Sequence, residues 1–204
     1  MSLTPVAAEQ LAAVVTMLEM RAVPQDLAVP PSPLRLDRRD RIAPDDYRTL
    51  FRLVGAPWLW FSRLVMSDAE LCNILHDDAV ELFAVVDGSG ENVGMLELDV
   101  RSAGECELAF LGLVPALTGQ GHGRWLLAQA VTRAWRPGVT RVHVHTCTLD
   151  HPAALAAYRR AGFTAIGRAV EQFADPRLAG LFPADCAPHI PLLGTPVTAA
   201  TRCA

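Results

Sequence analysis

The sequence lacks a long apolar run, an excess of basic residues and closely spaced cysteines. Its apolar stretches fall far short of the ~20 residues that a membrane-spanning helix requires, and its first residues carry no basic region of the kind that opens a signal peptide. A net charge of -4 at pH 7 argues against a broad surface for nucleic-acid backbones. We therefore expect a soluble, cytoplasmic protein that acts without a membrane or nucleic-acid partner.

The cysteines and histidines are too scattered to predict a metal site. None of the five cysteines belongs to a Cys-x-x-Cys pair, and such an odd, dispersed set is typical of a reducing compartment. His143 and His145 share one face of a predicted strand, but no third ligand is near them in the sequence. The sequence therefore predicts no bound metal.

Apolar residues are abundant, at 51% of the 204 residues, which is enough to form a sizeable core. No internal repeat and no change of composition divides the chain. We predict one domain over residues 1–204, with its best-defined part at 80–175, an N-terminal extension over 1–45 and a proline-rich tail over 176–204. The tail is expected to follow the surface, with a brief edge strand at 189–193.

Hydrophobic periodicity predicts an α/β chain whose pattern changes from helices to strands near residue 80. An alanine-rich segment favours a short helix over 5–14, followed by an extended stretch over 15–20 and a proline-rich connector reaching residue 42. Two amphipathic helices are expected next, over 43–54 and 67–75, the second opened by a capping box. The remaining expected elements are strands over 80–86, 93–100, 107–114, 141–149 and 163–173, with helices over 121–134 and 152–161.

A glycine-rich turn joins the strand that ends at Pro115 to the helix that follows. Gly119, Gly121 and Gly123 alternate there, so successive backbone N–H groups can turn inward without a Cβ clash. Together with the positive end of the helix, these groups would form a cradle for a pyrophosphate. The turn is neither a P-loop nor a G-x-G-x-x-G fingerprint. From the glycines alone, a tight turn without any ligand remains an equal interpretation.

The residues around this turn resemble the GNAT superfamily of acyl-CoA-dependent N-acyltransferases. The family signature Arg/Gln-x-x-Gly-x-Gly/Ala is matched from Thr118 to Gly123, with Thr118 where Arg or Gln is usual. A second signature ends in Tyr158-x-x-x-Gly-Phe163, with His151 where Asn is common. The resemblance implies an α/β (α+β) GNAT fold, a central mixed, mostly antiparallel sheet with splayed central strands and helices on both faces.

The resemblance also implies acetyl-CoA as co-substrate, without a metal. The helix that follows the glycine turn would hold the pyrophosphate, and the preceding strand would offer backbone groups to the pantetheine. The residues expected to bind the cofactor are Leu111, Leu113, Val114, Thr118, Gly119, Gln120, Gly121, His122, Gly123, Arg124 and His151.

Direct acyl transfer to an amine needs a proton acceptor and a proton donor. By resemblance, Glu107 is the expected catalytic base and Tyr158 the expected acid that protonates the CoA thiolate. Glu97 competes for the role of base and could instead bind the substrate ammonium; Asp99 is a weaker alternative. A nucleophilic Cys147 is another interpretation, although direct transfer needs no nucleophile.

The acceptor is the least defined part of the prediction. Trp58 and Trp60 could stack on a cationic or aromatic substrate, or could belong to the core. The predicted function is transfer of an acetyl group from acetyl-CoA to a primary amine of a small molecule or peptide. An inactive CoA-binding regulatory module is the main alternative, and a nucleotide-binding or redox domain is a further one. The expected partners are acetyl-CoA and the amine acceptor, and a homodimer stays open.

Overall fold

One seven-stranded sheet organises the chain in the computed structural model, which describes residues 2–25 and 28–195. The strands of these described residues are β1 (Gln10–Met20), β2 (Arg35–Arg38), β3 (Val80–Val86), β4 (Asn92–Asp99), β5 (Glu105–Leu113), β6 (Arg141–Cys147) and β7 (Thr164–Ala174). The helices are α1 (Pro44–Gly55), α2 (Asp68–Leu75), α3 (His122–Ala134) and α4 (Ala154–Arg160). The strands are arranged in the order β2-β3-β4-β5-β6-β1-β7.

The sheet has a hydrophobic core on each face. Alternate residues of a strand point to opposite faces. In β3, Phe83 and Val85 belong to the cluster that contains α3, whereas Leu82, Ala84 and Val86 belong to the cluster that contains α1 and α2. Helices therefore cover both faces of the sheet, as the sequence predicts.

All strand pairs are antiparallel except β5 with β6, which run parallel over only three residue pairs. The last of these pairs places Glu107 opposite His143. Beyond it, β5 continues to Leu113 and β6 continues to Cys147, but they no longer pair with each other, so the two strands diverge. This confirms the predicted mixed sheet with splayed central strands.

A β-bulge in β5 accounts for the divergence. Along the β4–β5 ladder, Leu98 lies opposite Leu108 and Glu97 lies opposite Phe110, so Ala109 is an extra residue on β5. A bulge bends its strand and increases its twist. Because this bulge comes directly after the residues that pair with β6, it turns β5 away from β6.

The N-terminal segment contradicts the predicted helix over 5–14. β1 begins at Gln10 and runs antiparallel to both β6 and β7, which makes it an inner strand. Ala13, Leu18 and Met20 of β1 are buried. Pairing on two sides and this burial override the high helix propensity of its alanines. The predicted extension therefore supplies a strand in the interior of the sheet.

The predicted connector up to residue 42 also contains a strand. β2 is a four-residue edge strand that pairs antiparallel with β3. Its alternating charges suit an edge because exposed charged side chains discourage pairing with another sheet. Between residues 43 and 174 the predicted helices and strands are confirmed to within two residues at their ends, as is the capping box between Ser67 and Glu70.

The tail packs onto the domain without the predicted strand at 189–193. The guanidinium of Arg177 is almost fully buried and lies 2.7 Å from the Asp175 carboxylate. It also donates to the carbonyl oxygens of Cys186 and Ile190, at 3.2 and 2.8 Å. These bonds hold the tail against the α1–α2 face, where Phe182 is buried. The tail prediction beyond residue 195 falls outside the described residues.

None of the helices in the described ranges is both long and apolar enough to cross a membrane.

Candidate active site

A cleft of about 1390 Å³ opens where β5 and β6 diverge. Its walls come from both strands, from the turn before α3, from α4 and from the loop after α1. The cleft follows from the bulge at Ala109, because two strands that remained paired would leave no space between them. Most of the residues expected to bind the cofactor or to take part in catalysis line this cleft.

The glycine-rich turn lies at the end of the cleft beside α3. Gly119 and Gly121 have φ values of +79° and +85°, a left-handed conformation that a residue with a Cβ rarely adopts. Gly121 is the N-cap of α3, and no side chain accepts a hydrogen bond there. A Cβ built on Gly119, Gly121 or Gly123 would meet no atom within 4 Å. An uncapped helix N-terminus beside open space is suited to an anionic group.

Most of the predicted cofactor residues border this cleft. Those that line it are Leu111, Leu113, Thr118, Gly119, Gly121, Gly123, Arg124 and His151.

The three other predicted cofactor residues, Val114, Gln120 and His122, make contacts within the protein. The Val114 N–H donates to the carbonyl oxygen of Val93, and the Gln120 side-chain amide donates to the carbonyl oxygen of Ala116. Nδ1 of His122 lies 3.1 Å from the hydroxyl of Ser32, in the loop that connects β1 to β2. The side chains of Gln120 and His122 therefore stabilise the turn from within.

Tyr158 lines the cleft from α4 and is only 8% exposed. Its ring packs edge-on against Phe163, with 5.8 Å between the ring centroids. Burial raises the pKa of its hydroxyl, and the negative charge of Asp150 adds to that effect. The phenol therefore keeps its proton at neutral pH while lying at the edge of the cleft.

Glu107 lines the cleft at the point where β5 leaves β6. Its Oε1 lies 3.4 Å from Nδ1 of His145, which also lines the cleft. The interaction with His145 lowers the pKa of Glu107, and the same interaction raises the pKa of His145. The sequence placed His145 on a strand face but did not connect it with Glu107, because the two residues lie on separate strands.

Glu97 lies outside the cleft and is fully buried. Its Oε1 accepts a hydrogen bond of 2.6 Å from Arg63, and its Oε2 accepts one of 2.5 Å from the Tyr47 hydroxyl. Burial raises the pKa of Tyr47, and the charge on Glu97 raises it further. With both oxygens occupied in the protein interior, Glu97 has no free position for an acceptor ammonium. This placement argues against the predicted substrate contact, and also against Glu97 as the base.

The two predicted acceptor-side tryptophans both line the cleft. Trp58 packs edge-on against His151, with 5.3 Å between centroids. The indole N–H of Trp60 donates to Oδ1 of Asp150 at 3.0 Å. The other oxygen of Asp150 accepts from the Thr146 hydroxyl and from the Cys147 N–H, both at 2.8 Å. Asp150, which the sequence reasoning missed, thus ties the loop after α1 to the end of β6.

Cys147 and Asp99, the weaker sequence candidates, also border the cleft. Burial raises the pKa of the Cys147 thiol, which disfavours the thiolate that a nucleophile requires. Asp99 is paired with Arg101, with 2.5 Å between their charged atoms. Within residues 2–25 and 28–195, neither Cys147 nor Asp99 has a partner that would activate it.

The sequence profile described as "Acetyltransferase (GNAT) family" matches residues 47–163, which is more than half of the chain. The chain belongs to the GNAT acetyltransferase family. The matched residues run from α1 to the residue before β7 and include the glycine turn, Glu107, His145 and Tyr158. β1 and the tail lie outside the match. The comparison with curated proteins finds no match.

Several solved structures share the fold of this chain. A GCN5-related N-acetyltransferase from Sphaerobacter thermophilus is 19% identical with a TM-score of 0.53, over 80% of this chain and 52% of that one. A functionally unknown conserved protein from Staphylococcus epidermidis is 12% identical with a TM-score of 0.53, over 81% and 63%. The chain thus spans less than two thirds of either protein.

A shorter relative is covered almost completely. The aminoglycoside acetyltransferase meta-AAC0020, from an uncultured soil metagenomic sample, is 20% identical with a TM-score of 0.54, over 68% of this chain and 93% of that one. At such identities the similarity establishes the fold alone, and the GNAT fold predicted from the sequence is confirmed.

The buried Tyr47–Glu97–Arg63 group leads to a stability prediction. Arg63→Met removes the only cation bonded to Glu97 in the described residues and leaves a buried carboxylate without compensation. We expect the free energy of unfolding to fall by about 3–5 kcal/mol. Denaturant titration followed by circular dichroism measures this loss.

Two variants control for this prediction. Arg39→Met breaks a pair with Asp37 whose side chains are 36% and 40% exposed, together with an exposed hydrogen bond to Asn92, and should change stability by less than about 1 kcal/mol. The double variant Arg63→Met/Glu97→Met removes both charges, so it should lose less stability than Arg63→Met alone. A double variant at least as unstable as the single one would contradict the argument from the uncompensated charge.

Proposed function

We propose that this GNAT protein transfers an acetyl group from acetyl-CoA to a primary amine of a small molecule or peptide by direct transfer. The observation that carries the proposal is the cleft between the diverging strands. It is bordered at one end by an uncapped helix N-terminus, at its side by the buried hydroxyl of Tyr158 and at its vertex by Glu107. Acyl transfer to an amine requires an anion site, a proton donor and a proton acceptor, and this cleft has a candidate for each.

The anion site would hold the CoA pyrophosphate. The space above Gly119, Gly121 and Gly123 and the absence of a capping side chain support this assignment. Arg124, in the first turn of α3, borders the same space and adds a positive charge. Thr118 takes the place of the usual long side chain, so backbone amides carry more of the binding here.

The pantetheine arm would lie along β5 beyond the bulge. On one side this segment is bonded to β4, and on the other side it has lost β6 as a neighbour. Leu111 and Leu113 border the cleft in this segment. A ligand amide can add to such an open strand edge through backbone hydrogen bonds. This would direct the thioester towards Tyr158 and Glu107.

Protons must move at both ends of the reaction. At the end of the cleft that holds Glu107 and His145, this pair takes a proton from the acceptor ammonium, so that the amine can attack the thioester carbon. The C–N bond forms and the C–S bond breaks, and the hydroxyl of Tyr158 donates its proton to the departing thiolate. A proton donor has to keep its proton until the thiolate forms, and the phenol of Tyr158 is protonated at neutral pH.

The acceptor side combines aromatic rings with a carboxylate. Trp58, Trp60 and Phe61 border the cleft together with Glu171. Aromatic faces and carboxylates both favour a cation, which is the form in which an alkylamine arrives at neutral pH. The acetyltransferase of similar fold named for aminoglycosides makes polycationic amines a reasonable first group to test.

A screen for acetyl-CoA-dependent thiol release tests the proposed function. The acceptors should include amino acids, polyamines, aminoglycosides and peptides. The main alternative is an inactive CoA-binding module, which would bind acetyl-CoA without turnover. Thermal shifts with acetyl-CoA, NAD and ATP distinguish the acetyltransferase and the inactive CoA-binding module from a nucleotide-binding or redox domain, because a ligand stabilises only a protein that binds it.

We further propose that residues 1–204 act as one catalytic domain in the cytoplasm. The inner position of β1 and the burial of Phe182 in the tail support a single unit. The cysteines in the described part of the chain are free, which suits a reducing compartment.

Gly123→Asp tests the anion site without disturbing the fold. Gly123 lies in the first turn of α3, a Cβ there meets no atom within 4 Å, and its φ is not in the left-handed region. An aspartate suits a helix N-terminus but would repel a pyrophosphate. We expect the affinity for acetyl-CoA to fall at least tenfold, or about 1.4 kcal/mol, by calorimetry.

Gly88→Asp is the matched control for this variant. Gly88 lies in the β3–β4 turn, does not border the cleft, and also has open space around a Cβ. It should leave the affinity for acetyl-CoA unchanged. If Gly123→Asp also binds acetyl-CoA with wild-type affinity, the glycine turn is not the pyrophosphate site.

Tyr158→Phe tests the proton donor. The substitution keeps the ring that packs on Phe163 and removes only the hydroxyl. We expect kcat to fall by about 10² while the affinity for acetyl-CoA changes little. Steady-state kinetics and calorimetry measure the two quantities. A kcat within twofold of wild type would show that Tyr158 has a packing role only.

A further inference from the structure

Two Glu–His pairs connect β5 to β6 on the same face of the sheet. Glu105 lies 3.7 Å from His143, and Glu107 lies 3.4 Å from His145. Both pairs join the same two strands, and they are two residues apart on each strand. Only Glu107 and His145 border the cleft, because β5 and β6 diverge directly after the pairing of Glu107 with His143.

The orientation of His145 leaves one ring nitrogen for a substrate. Nδ1 faces Glu107, so Nε2 lies on the opposite side of the ring. The His145 side chain is 57% exposed, whereas that of Glu107 is 32% exposed. Glu107 is thus the more enclosed member of the pair, and the imidazole is the member more open to a ligand in the cleft.

We propose that Nε2 of His145 is the atom that takes the proton from the acceptor ammonium, and that Glu107 is a positioning residue that holds the imidazole. This inference rests on the proposed N-acetyltransferase function. Glu107 fixes the tautomer that carries its hydrogen on Nδ1, and it stabilises the imidazolium that forms on protonation. The pair therefore acts as a unit in which carboxylate and imidazole have different tasks.

The charges around His145 favour this assignment. Glu107 faces it from β5, Asp150 from the loop after β6, and Glu171 from β7. On β1 the residue opposite His145 is the uncharged Met17, and the nearest titratable groups on its own strand are His143 and Cys147. The three carboxylates together raise the pKa of His145, with Glu107 contributing most. Its partner Glu107 has a lowered pKa and is a weaker base for the same reason.

The proton balance is complete without another reactant. The ammonium group gives one proton to Nε2 of His145, which releases it to solvent after turnover. The neutral amine attacks the thioester carbon, and the nitrogen loses its second proton as the C–S bond breaks. The thiolate takes a proton from Tyr158, which is restored by the proton that the nitrogen loses. The net products are the amide, free CoA and one proton.

His145→Gln, with an acceptor found by the screen, is the first test. Glutamine can hydrogen-bond but cannot take a proton, so we expect kcat at neutral pH to fall by about 10². The variant should recover partly at high pH, where solvent supplies free amine. His143→Gln removes the other imidazole, which does not border the cleft, and should keep kcat within about twofold of wild type.

The pH profile of kcat distinguishes the two members of the pair. If His145 takes the proton, the wild-type rate falls as pH drops through a pKa above the ordinary 6.5, since Glu107 stabilises the charged ring. Glu107→Gln removes that stabilisation, so the acid limb should move to lower pH. If Glu107 takes the proton, the wild-type limb lies below 4.5, and His145→Gln moves it upward.

A titration of the histidine ring by NMR tests the pair independently of activity. The His145 resonance should titrate above 6.5 in the wild type and at a lower pH in Glu107→Gln, with no comparable change in Glu105→Gln. A His145 titration that Glu107→Gln leaves unchanged overturns the pair, even if no acceptor is found. If the wild type is active and kcat is unchanged in His145→Gln, the base assignment is overturned and the proposed function stands. If the wild type is inactive but His145 titrates as expected, the result counts against the proposed function alone.

Discussion

The short parallel pairing between β5 and β6 is the constraint on which the rest of the structure depends. These strands lie side by side over three residue pairs and then separate at the bulge on Ala109. A parallel pair needs a crossover connection, and α3 provides it. The same crossover places the N-terminus of α3 at the open end of the cleft. The positions of the cleft, the glycine turn and Glu107 therefore all follow from this short pairing and its crossover.

Buried polar groups brace the strands around this opening. Glu97 lies opposite Phe110, directly beside the bulge, and is held by Tyr47 and Arg63. The guanidinium of Arg63 also lies over the ring of Phe110, 5.3 Å from its centroid. We interpret Glu97 as part of the support behind β5, since a buried, bonded carboxylate resists displacement of the strand that carries it.

A second brace spans the cleft on its acceptor side. Asp150 accepts hydrogen bonds from Trp60, Thr146 and Cys147, and so fixes the loop after α1 against the end of β6. The strands can thus stay apart without making the opening flexible. Pre-organised walls of this kind suit chemistry that requires reacting groups to be held in place.

The sequence predicted the parts of the fold and site that depend on local pattern. Period-two and helical periodicity located the elements after residue 43, and the glycine spacing located the turn before α3. The extended stretch over 15–20 was predicted, but the first half of β1 was missed because pairing on two sides outweighs the helix propensity of its alanines. The bulge at Ala109 was missed because it exists only relative to β4.

The contacts of the acidic residues could not be predicted for a related reason. Glu97 and Glu107 both look like carboxylates on strands, and their sequence context does not reveal their partners. Arg63 is 34 residues from Glu97 along the chain, and His145 is 38 residues from Glu107. Only the assembled sheet shows that one carboxylate is enclosed by the core and that the other borders the cleft.

Amide hydrogen exchange with and without acetyl-CoA tests the central claim most directly. If the cleft between β5 and β6 holds the cofactor, acetyl-CoA should slow exchange at the amides of residues 119–124. It should also slow exchange on β5 beyond Ala109, where the strand has lost its neighbour β6. Slowed exchange confined to other parts of the chain, with these two segments unchanged, would contradict the account.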